Sequence, residues 1–481
     1  MHKKFLNNLA LVLGLNLVIK TYWVFGIDRE MQKAVGTEDY GLYFALFNFS
    51  FLLNILLDFG ITNFNNKNIS QNNQLLTKHF SSLTVLKFFL ATLYIVVTLV
   101  CGYFIGYDSR LMRLLMWLGF NQFLISFIMY LRSNLAGLHL FKTDSFISVL
   151  DRTIMIILCL FLLYGNWFPE MDIMYYVYAQ TLGYVLTAVI TFLIVVGKTD
   201  SLKLKFSLPF SMMILKKSFP FAVLVLLMTF YNRIDTVMLE RMLPDGEGAY
   251  QSGIYAQGYR FLDATNMIAF LFSGLLLPMF SRMIKFREPV EHLVKLSYTL
   301  LITPALVIGI GCFFYRSELM LLLYGKHFAP ESARVFAVLM ACFIPICTTY
   351  IFGTLLTANG NLKELNLVAA SGMVINIALN LILIPKMSSF GSSLASFTTQ
   401  VLTAGVQVII VQRFFKFRIN KRLLITLVVF AAGVGAIAFA SKRISQDWLV
   451  NFALMVGASG LWSFAIGLIS LKSVLRFLKY K

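Results

Sequence analysis

Charge is scarce in this chain, and acidic charge is scarcer still. Charged residues make up 13% of 481, with 22 Asp and Glu against 41 Lys and Arg. A soluble chain carries about 25% charged residues, so this one cannot keep a water-facing surface. Catalytic signatures are missing as well. The sequence has no phosphate-binding glycine-rich loop with Lys-Ser or Lys-Thr, no His-Glu-x-x-His and no nucleophile elbow, so no motif points to ATP hydrolysis or to another hydrolytic chemistry. Five histidines are scattered near loops and interfaces without ligand spacing, and no cofactor or metal is expected. Cys101, Cys159, Cys312, Cys342 and Cys347 all sit in apolar runs; they read as buried small hydrophobes, not as disulfides or metal ligands. The longest connections, Ile61–Leu83 and Gly197–Lys217, leave no room for a catalytic domain outside the apolar runs.

What is abundant is hydrocarbon: 59% of the residues are hydrophobic, with a mean hydropathy of +0.78. A bilayer core of about 30 Å needs roughly 20 apolar residues as a helix. The runs place spans at about 6–27, 41–61, 83–105, 112–135, 145–165, 173–197, 214–240, 253–280, 292–314, 333–357, 363–384, 391–412, 423–440 and 448–470. They are continuous and do not alternate residue by residue, which selects helices over a barrel. The expected fold class is therefore an all-α polytopic membrane protein with about 14 transmembrane helices. Asn7, Asn8, Asn16 and Lys20 interrupt the first run and no small-residue cleavage site follows it, so it reads as a retained span and not as a signal peptide.

The basic residues set the expected orientation. With the amino terminus in the cytoplasm, roughly 24 loop Lys and Arg fall inside and roughly 10 outside, which places both termini inside. The formal charge of +19 is then mainly a topology signal and a contact with anionic membrane lipids; no nucleic-acid partner is implied.

Short words recur in order. Asp28-Arg29 returns as Glu240-Arg241 and Gly41-Leu42-Tyr43 as Gly253-Ile254-Tyr255, both 212 positions on. Val185-Leu186-Thr187-Ala188 returns as Val401-Leu402-Thr403-Ala404 after 216, and the stretch ending in Lys142 resembles the one ending in Lys363. An even number of spans separates the copies, so the halves run parallel. The expected organisation is an amino-terminal lobe over 1–200 (helices one to six) and a carboxy-terminal lobe over 201–415 (helices seven to twelve). Residues 416–481 add two helices and a cytoplasmic tail. Two-lobed transporters place their substrate path between such repeats. Small residues at Ala431–Ala436 and Gly457–Gly460 mark the last two spans as close-packing elements.

A charge near the bilayer centre costs at least about 2.5–3.5 kcal/mol and normally faces a cavity or a partner. Lys20, Asp58, Lys87, Asp151, Arg152, Arg233, Asp235, Arg260 and Asp263 lie in the runs. The 212-residue offset carries Lys20 to Asn232, one place before Arg233, so the first helices of the two lobes each bring a cation to similar depth. Facing across a cleft, the two would suit a diphosphate, with the forked donors of Arg favouring phosphate oxygens. The competing reading is snorkelling of Lys20 and an ion pair for Arg233. Arg233 and Asp235, two apart, point to different faces; Arg260 and Asp263, at i and i+3, can pair locally. Lys87 is close enough to the boundary to snorkel, Asp58 ends a helix and suits capping, and Asp151-Arg152 reads as a buried pair. Arg29 and Arg241 mark equivalent mouths where an anion could be steered. The substrate-binding candidates are thus Lys20, Arg233, Arg260, Lys87, Arg29 and Arg241, and the ion-coupling or ion-pairing candidates are Asp58, Asp235, Asp263 and Asp151. Pro220, Pro278, Pro304, Pro345 and Pro385 lie in or beside second-lobe spans and offer bending points.

Several of these words resemble a known family. Val35-Gly36-Thr37-Glu38-Asp39-Tyr40-Gly41-Leu42-Tyr43, Leu56-Leu57-Asp58-Phe59-Gly60-Ile61 and Arg233-Ile234-Asp235 followed by Gly253-Ile254-Tyr255 are the first three. Leu323-Tyr324-Gly325, Leu356-Thr357-Ala358-Asn359-Gly360, and Asn376 and Asn380 before Ile384-Pro385 continue the series. Together they resemble the oligosaccharide-flippase (O-antigen and polysaccharide transporter) branch of the superfamily that also holds multidrug-and-toxin extruders and the lipid II flippase. The resemblance implies two six-helix lobes around a cationic cavity that opens alternately to either side. It also implies carriage of an undecaprenyl-diphosphate-linked oligosaccharide, an O-antigen or capsule repeat unit, across a bacterial inner membrane, with polysaccharide polymerase machinery as a partner. The alternatives are a cation-coupled multidrug antiporter using Asp235 or Asp58, and a glycan polymerase or ligase. The last is disfavoured by outer loops of only about 12–18 residues, too short for the large catalytic loop such enzymes need.

Overall fold

Each apolar run becomes a helix, and several begin at a polar side chain that caps them. The computed structural model describes residues 14–468 apart from 17, 63–64, 66–68, 70–73, 139, 166–170, 200–207, 245, 326–327 and 418–419; the start of the first expected span, 6–13, lies outside them. A π-helical segment, Trp23–Asp28, leads into α1 (Arg29–Val35), α2 (Thr37–Leu52) and α3 (Ile55–Asp58). Then come α4 (Leu75–Ile105), α5 (Ser109–Gly137), α6 (Phe141–Tyr164), α7 (Ile173–Val196), α8 (Leu208–Met242) and α9 (Glu247–Lys285). The remainder is α10 (Glu291–Phe314), α11 (Arg316–Tyr324), α12 (Pro330–Ala341), α13 (Phe343–Asn359), α14 (Leu362–Phe415), α15 (Lys421–Ser441) and α16 (Trp448–Ala465). Asp108, Asp172, Asn420 and Asp447 accept hydrogen bonds from backbone N–H groups in the first turns of α5, α7, α15 and α16, satisfying donors that lipid could not.

Among the described residues, eleven helices are long and apolar enough to cross a membrane, α12 and α13 counting as one. Helix α14 supplies two of the expected crossings, because its 54 residues turn at Ser388 (φ 48°). Pro385 withholds a backbone donor just before this turn, and after it Gly391 sits so close to the Leu383 carbonyl that a Cβ would fall 2.4 Å from the oxygen. The second span is broken as well: α2 stops at Leu52 and α3 runs only to Asp58, where Phe59 and Gly60 turn left-handed. With the two crossings of α14 and this broken rod, thirteen of the expected crossings fall on described helices. The chain is an all-α polytopic membrane protein.

By packing, the chain forms two compact units: residues Met1–Glu240 with Asp245–Gly253, and Arg241–Pro244 with Ile254–Lys481. In the first, α5 is the central rod, touching α2, α4, α6 and α7, while the π-helical segment and α1 lie on α6. Most of α8 packs with this unit, for instance through Asn48 Nδ2, which donates to Thr236 Oγ1 at 2.8 Å. In the second, α10 contacts α12, α13, α15 and α16, and α14 lies on α12 and α13. The last two spans are little buried, 17% and 22% of their most apolar stretches against 72% for α5. Of their glycines, Gly433 is in tight contact, since a Cβ there would fall 2.2 Å from Trp462 Nε1, while Gly435, Gly457 and Gly460 meet nothing within 4 Å.

The repeated Gly-x-Tyr word has a structural consequence inside the first unit. A Cβ on Gly41 would lie 1.9 Å from the Ala249 carbonyl oxygen, and one on Gly253 would lie 2.1 Å from that of Thr37. Thr37 and Ala249 are themselves 212 apart, so the contact is reciprocal between the two copies of the repeat. Gln32 Nε2 adds a 3.2 Å hydrogen bond to the Gly253 carbonyl. Gly36 (φ 95°) makes the turn between α1 and α2 in a region that side chains avoid.

Gly41→Ala and Gly253→Ala are expected to destabilise the folded protein by about 3 kcal/mol or more through backbone overpacking. Gly405→Ala, which meets nothing within 4 Å, is expected to leave it unchanged. Thermal unfolding in detergent reads the difference; equal melting temperatures would remove the crossing as a structural constraint.

Candidate functional site

A polar cluster of the first unit gathers on the π-helical segment, α6 and α7. Lys20, one turn before that segment, lies within electrostatic reach of Asp151, Arg152 and Arg132. Among the described residues it makes no hydrogen bond or ion pair of its own. Arg152 places its guanidinium carbon 5.1 Å from the Trp23 ring and 5.7 Å from the Tyr184 ring. Its Nε is 3.8 Å from Asp151 Oδ2, and one terminal N–H group meets Met155 Sδ at 3.6 Å. Asp151, its neighbour in the chain, stays beyond hydrogen-bond distance. Gly183 on α7 lets α6 pack closely: a Cβ there would fall 2.7 Å from Met155 and 3.3 Å from the Asp151 carbonyl.

Beside the cations stands a buried carboxylate. Asp28, 2% exposed, accepts a hydrogen bond from the Tyr40 hydroxyl at 2.9 Å and another from the Tyr176 hydroxyl. Tyr176 stacks on Trp23 (ring centroids 6.0 Å apart, planes 12° apart) and meets Tyr43 edge-on at 5.4 Å. Gln180 Nε2 donates to the Tyr43 hydroxyl at 2.9 Å. One connected wall thus runs from Asp28 through Tyr176 and Trp23 to Arg152. The π-helical register makes the wall possible, since a widened turn re-aims the side chains of Trp23 and Asp28; such turns are frequent at functional sites.

A second charged cluster is internally closed. Lys87 is 1% exposed and does not snorkel. Its ammonium donates to Asp58, to the Leu57 carbonyl at 2.9 Å and to Ser126 Oγ at 3.1 Å. All three of its donors are engaged, and one of them caps the carbonyl end of the short helix α3. Asp58 in turn accepts from the Thr62 N–H and hydroxyl, so it performs the capping role its position suggested. The pair pins the break in the second span.

The other candidates lie on α1, α8 and α9. Arg233 stacks on Phe51 at 5.4 Å, and Asp235 is 1% exposed on the same helix. Arg260 and Asp263 are half-buried on α9, and Arg241 is exposed; all three belong to the second unit. Arg29 pairs with Glu30 at 2.6 Å, and Lys33 with the same carboxylate at 3.1 Å. Burial opposes ionisation of Glu30, yet hydrogen bonds from Lys33 and Arg29 outweigh it and hold the carboxyl below its ordinary value. The stability this triad adds is therefore present above the usual carboxylate range and lost as pH falls through it.

Two members of the cluster carried no functional assignment in the sequence, Arg152 and Asp28. Read in the sequence as half of a buried pair with Asp151, Arg152 instead turns its guanidinium to aromatic rings. The aromatic rings it found, Trp23 and Tyr184, lie far apart along the chain and only the fold joins them.

A protein-family model described as "Polysaccharide biosynthesis protein" matches residues 31–284. No curated protein matches the sequence. The chain is similar in fold to the lipid II flippase MurJ in an inward closed conformation, with TM-score 0.67, 15% identity, and 93% of this chain and 97% of that one covered. It is also similar to an inward-facing multidrug resistance MATE family transporter of the MOP superfamily (TM-score 0.59, 14% identity, 85% and 94% covered). A third similar structure is a point mutant of the Vibrio cholerae MATE transporter VcmN (TM-score 0.58, 10% identity, 85% and 96% covered). At these identities the likeness establishes the fold.

Removing Lys87 leaves Asp58 partly buried and unpaired. Lys87→Met is expected to destabilise by about 3 kcal/mol, the low end for a broken buried pair, because Asp58 keeps 28% exposure. The double variant Lys87→Met with Asp58→Leu is expected to recover part of the loss. Melting temperatures of the three proteins measure the coupling; additive losses would show that the two groups do not act as a pair.

Proposed function

Since the chain belongs to the polysaccharide biosynthesis protein family, we propose that it is a flippase. In this reading it moves an undecaprenyl-diphosphate-linked oligosaccharide, an O-antigen or capsule repeat unit, from the cytoplasmic to the outer leaflet of a bacterial inner membrane. Both termini lie in the cytoplasm, and the product passes to polysaccharide polymerase machinery. The observation that carries the reading is the pair Lys20 and Arg152. They are two like charges within electrostatic reach inside the spanning region, and most of their N–H donors are unengaged among the described residues. Such an arrangement is unfavourable in hydrocarbon and becomes favourable when a dianion arrives, because charge-assisted bonds to phosphate oxygens are among the strongest available.

Transport needs no covalent step, so the protein acts without enzymatic chemistry. It replaces the water around diphosphate and sugars by fixed polar groups, lowering the cost of moving the head group through the bilayer, while the polyprenyl tail stays in lipid. Alternating access moves the site from one face to the other. Arg233 and Arg260 are proposed as further cations on the path, with Arg29 and Arg241 steering at its mouths.

A second reading, a cation-coupled antiporter, is favoured by the buried carboxylates Asp28 and Asp235. Reconstituted protein is expected to flip a lipid-linked oligosaccharide in liposomes, with Lys20→Ala and Arg152→Ala each lowering the rate about tenfold or more. Absence of flipping with any lipid-linked glycan, together with drug uptake driven by a proton or sodium gradient, would transfer the assignment to the antiporter.

A further inference from the structure

The Asp151–Arg152 pair is built unlike the other ion pairs of the first unit. Arg132 grips Asp144 through two contacts, Nε to Oδ1 at 2.7 Å and a terminal nitrogen to Oδ2 at 3.3 Å. Arg29 meets Glu30 at 2.6 Å and Arg110 meets Asp39 at 3.0 Å. Arg152 stands 3.8 Å from its carboxylate, close enough to feel its charge and too far to donate to it. Trp23 and Tyr184 hold the guanidinium instead, and a ring face attracts a cation without occupying its N–H groups. Trp23 is itself fixed by stacking on Tyr176, whose hydroxyl is tied to Asp28. The result is a rigid platform that presents a guanidinium with most of its five donors open.

We propose that Arg152 is the residue that takes the diphosphate of the substrate, and that Asp151 is its resident counter-ion. Phosphate oxygens take over from the carboxylate on loading, and the carboxylate takes over again on release. The inference rests on the flippase reading and adds the binding residue and its reset. Two bare cations, Lys20 and Arg152, would hold a dianion too firmly for turnover. A carboxylate that neutralises one of them without engaging its donors leaves the fork free for phosphate and favours release afterwards. Trp23 is the positioning residue: without its ring the guanidinium is free to swing and close on an acid.

The test uses full-length protein in zwitterionic nanodiscs, titrated calorimetrically with farnesyl diphosphate, inorganic pyrophosphate and phosphatidylglycerol. Farnesyl diphosphate and pyrophosphate are expected to bind, with affinity falling about tenfold in Arg152→Ala and partly restored in Arg152→Lys. Asp151→Asn is expected to bind several-fold more tightly and to flip more slowly, a combination that a merely structural role of Asp151 does not give. Trp23→Leu is expected to weaken binding, and Trp23→Phe to retain it. Melting temperatures verify that each variant is folded. Unchanged diphosphate affinity in folded Arg152→Ala, or weaker binding in Asp151→Asn, overturns the proposal. Equal Arg152-dependent binding of phosphatidylglycerol overturns it in favour of a lipid-headgroup site. Flipping of a lipid-linked glycan is measured in parallel: flipping that survives Arg152→Ala retires this residue and keeps the function. Arg152-dependent diphosphate binding without any flipping retires the function and keeps the site.

Discussion

Hydrocarbon offers no partner for a charge or for a bare backbone group, so this chain must answer both from within. The helices answer the backbone requirement, and capping side chains add to it where α5, α7, α15 and α16 begin. The breaks need their own solutions. At the end of α3 the Leu57 carbonyl is answered by the ammonium of Lys87, and the same ammonium is neutralised by Asp58. A cation placed deep in the unit therefore serves the backbone and is held by it.

The cations of the first unit differ in how completely they are satisfied. Lys87 has every donor engaged and Arg132 is held by both carboxylate oxygens of Asp144. Arg152 is attracted to aromatic faces and to a distant carboxylate, and Lys20 makes no hydrogen bond among the described residues. Under one physical rule the closed clusters hold the fold, while the Arg152 cluster keeps most of its donors unengaged among the described residues.

The internal repeat gains meaning from the same economy of space. Gly41 and Gly253 each take the place where a side chain would collide with the carbonyl of the partner copy. In the sequence they were two members of a recurring word. In the first unit they are the points at which the start of α2 and the start of α9 cross. A short word repeated at one offset was therefore a packing constraint.

The number and extent of the spans, their helical nature and the scarcity of soluble connections followed from composition and run length alone, because the bilayer imposes a length on every crossing. Helix caps at Asp108, Asp172, Asn420 and Asp447, and the bend near Pro385, were written locally. Charge pairing was not. Lys87 and Asp58 are 29 positions apart, and their pairing depends on α4 lying against α3. The depth of Lys20 in its apolar run marks an intramembrane cation, but the surroundings of Arg152 exist only because α7 and the π-helical segment bring Tyr184 and Trp23 around it. Residues distant in sequence become neighbours through packing, and inside a membrane it is the neighbours that decide whether a charge is satisfied or left open to a ligand.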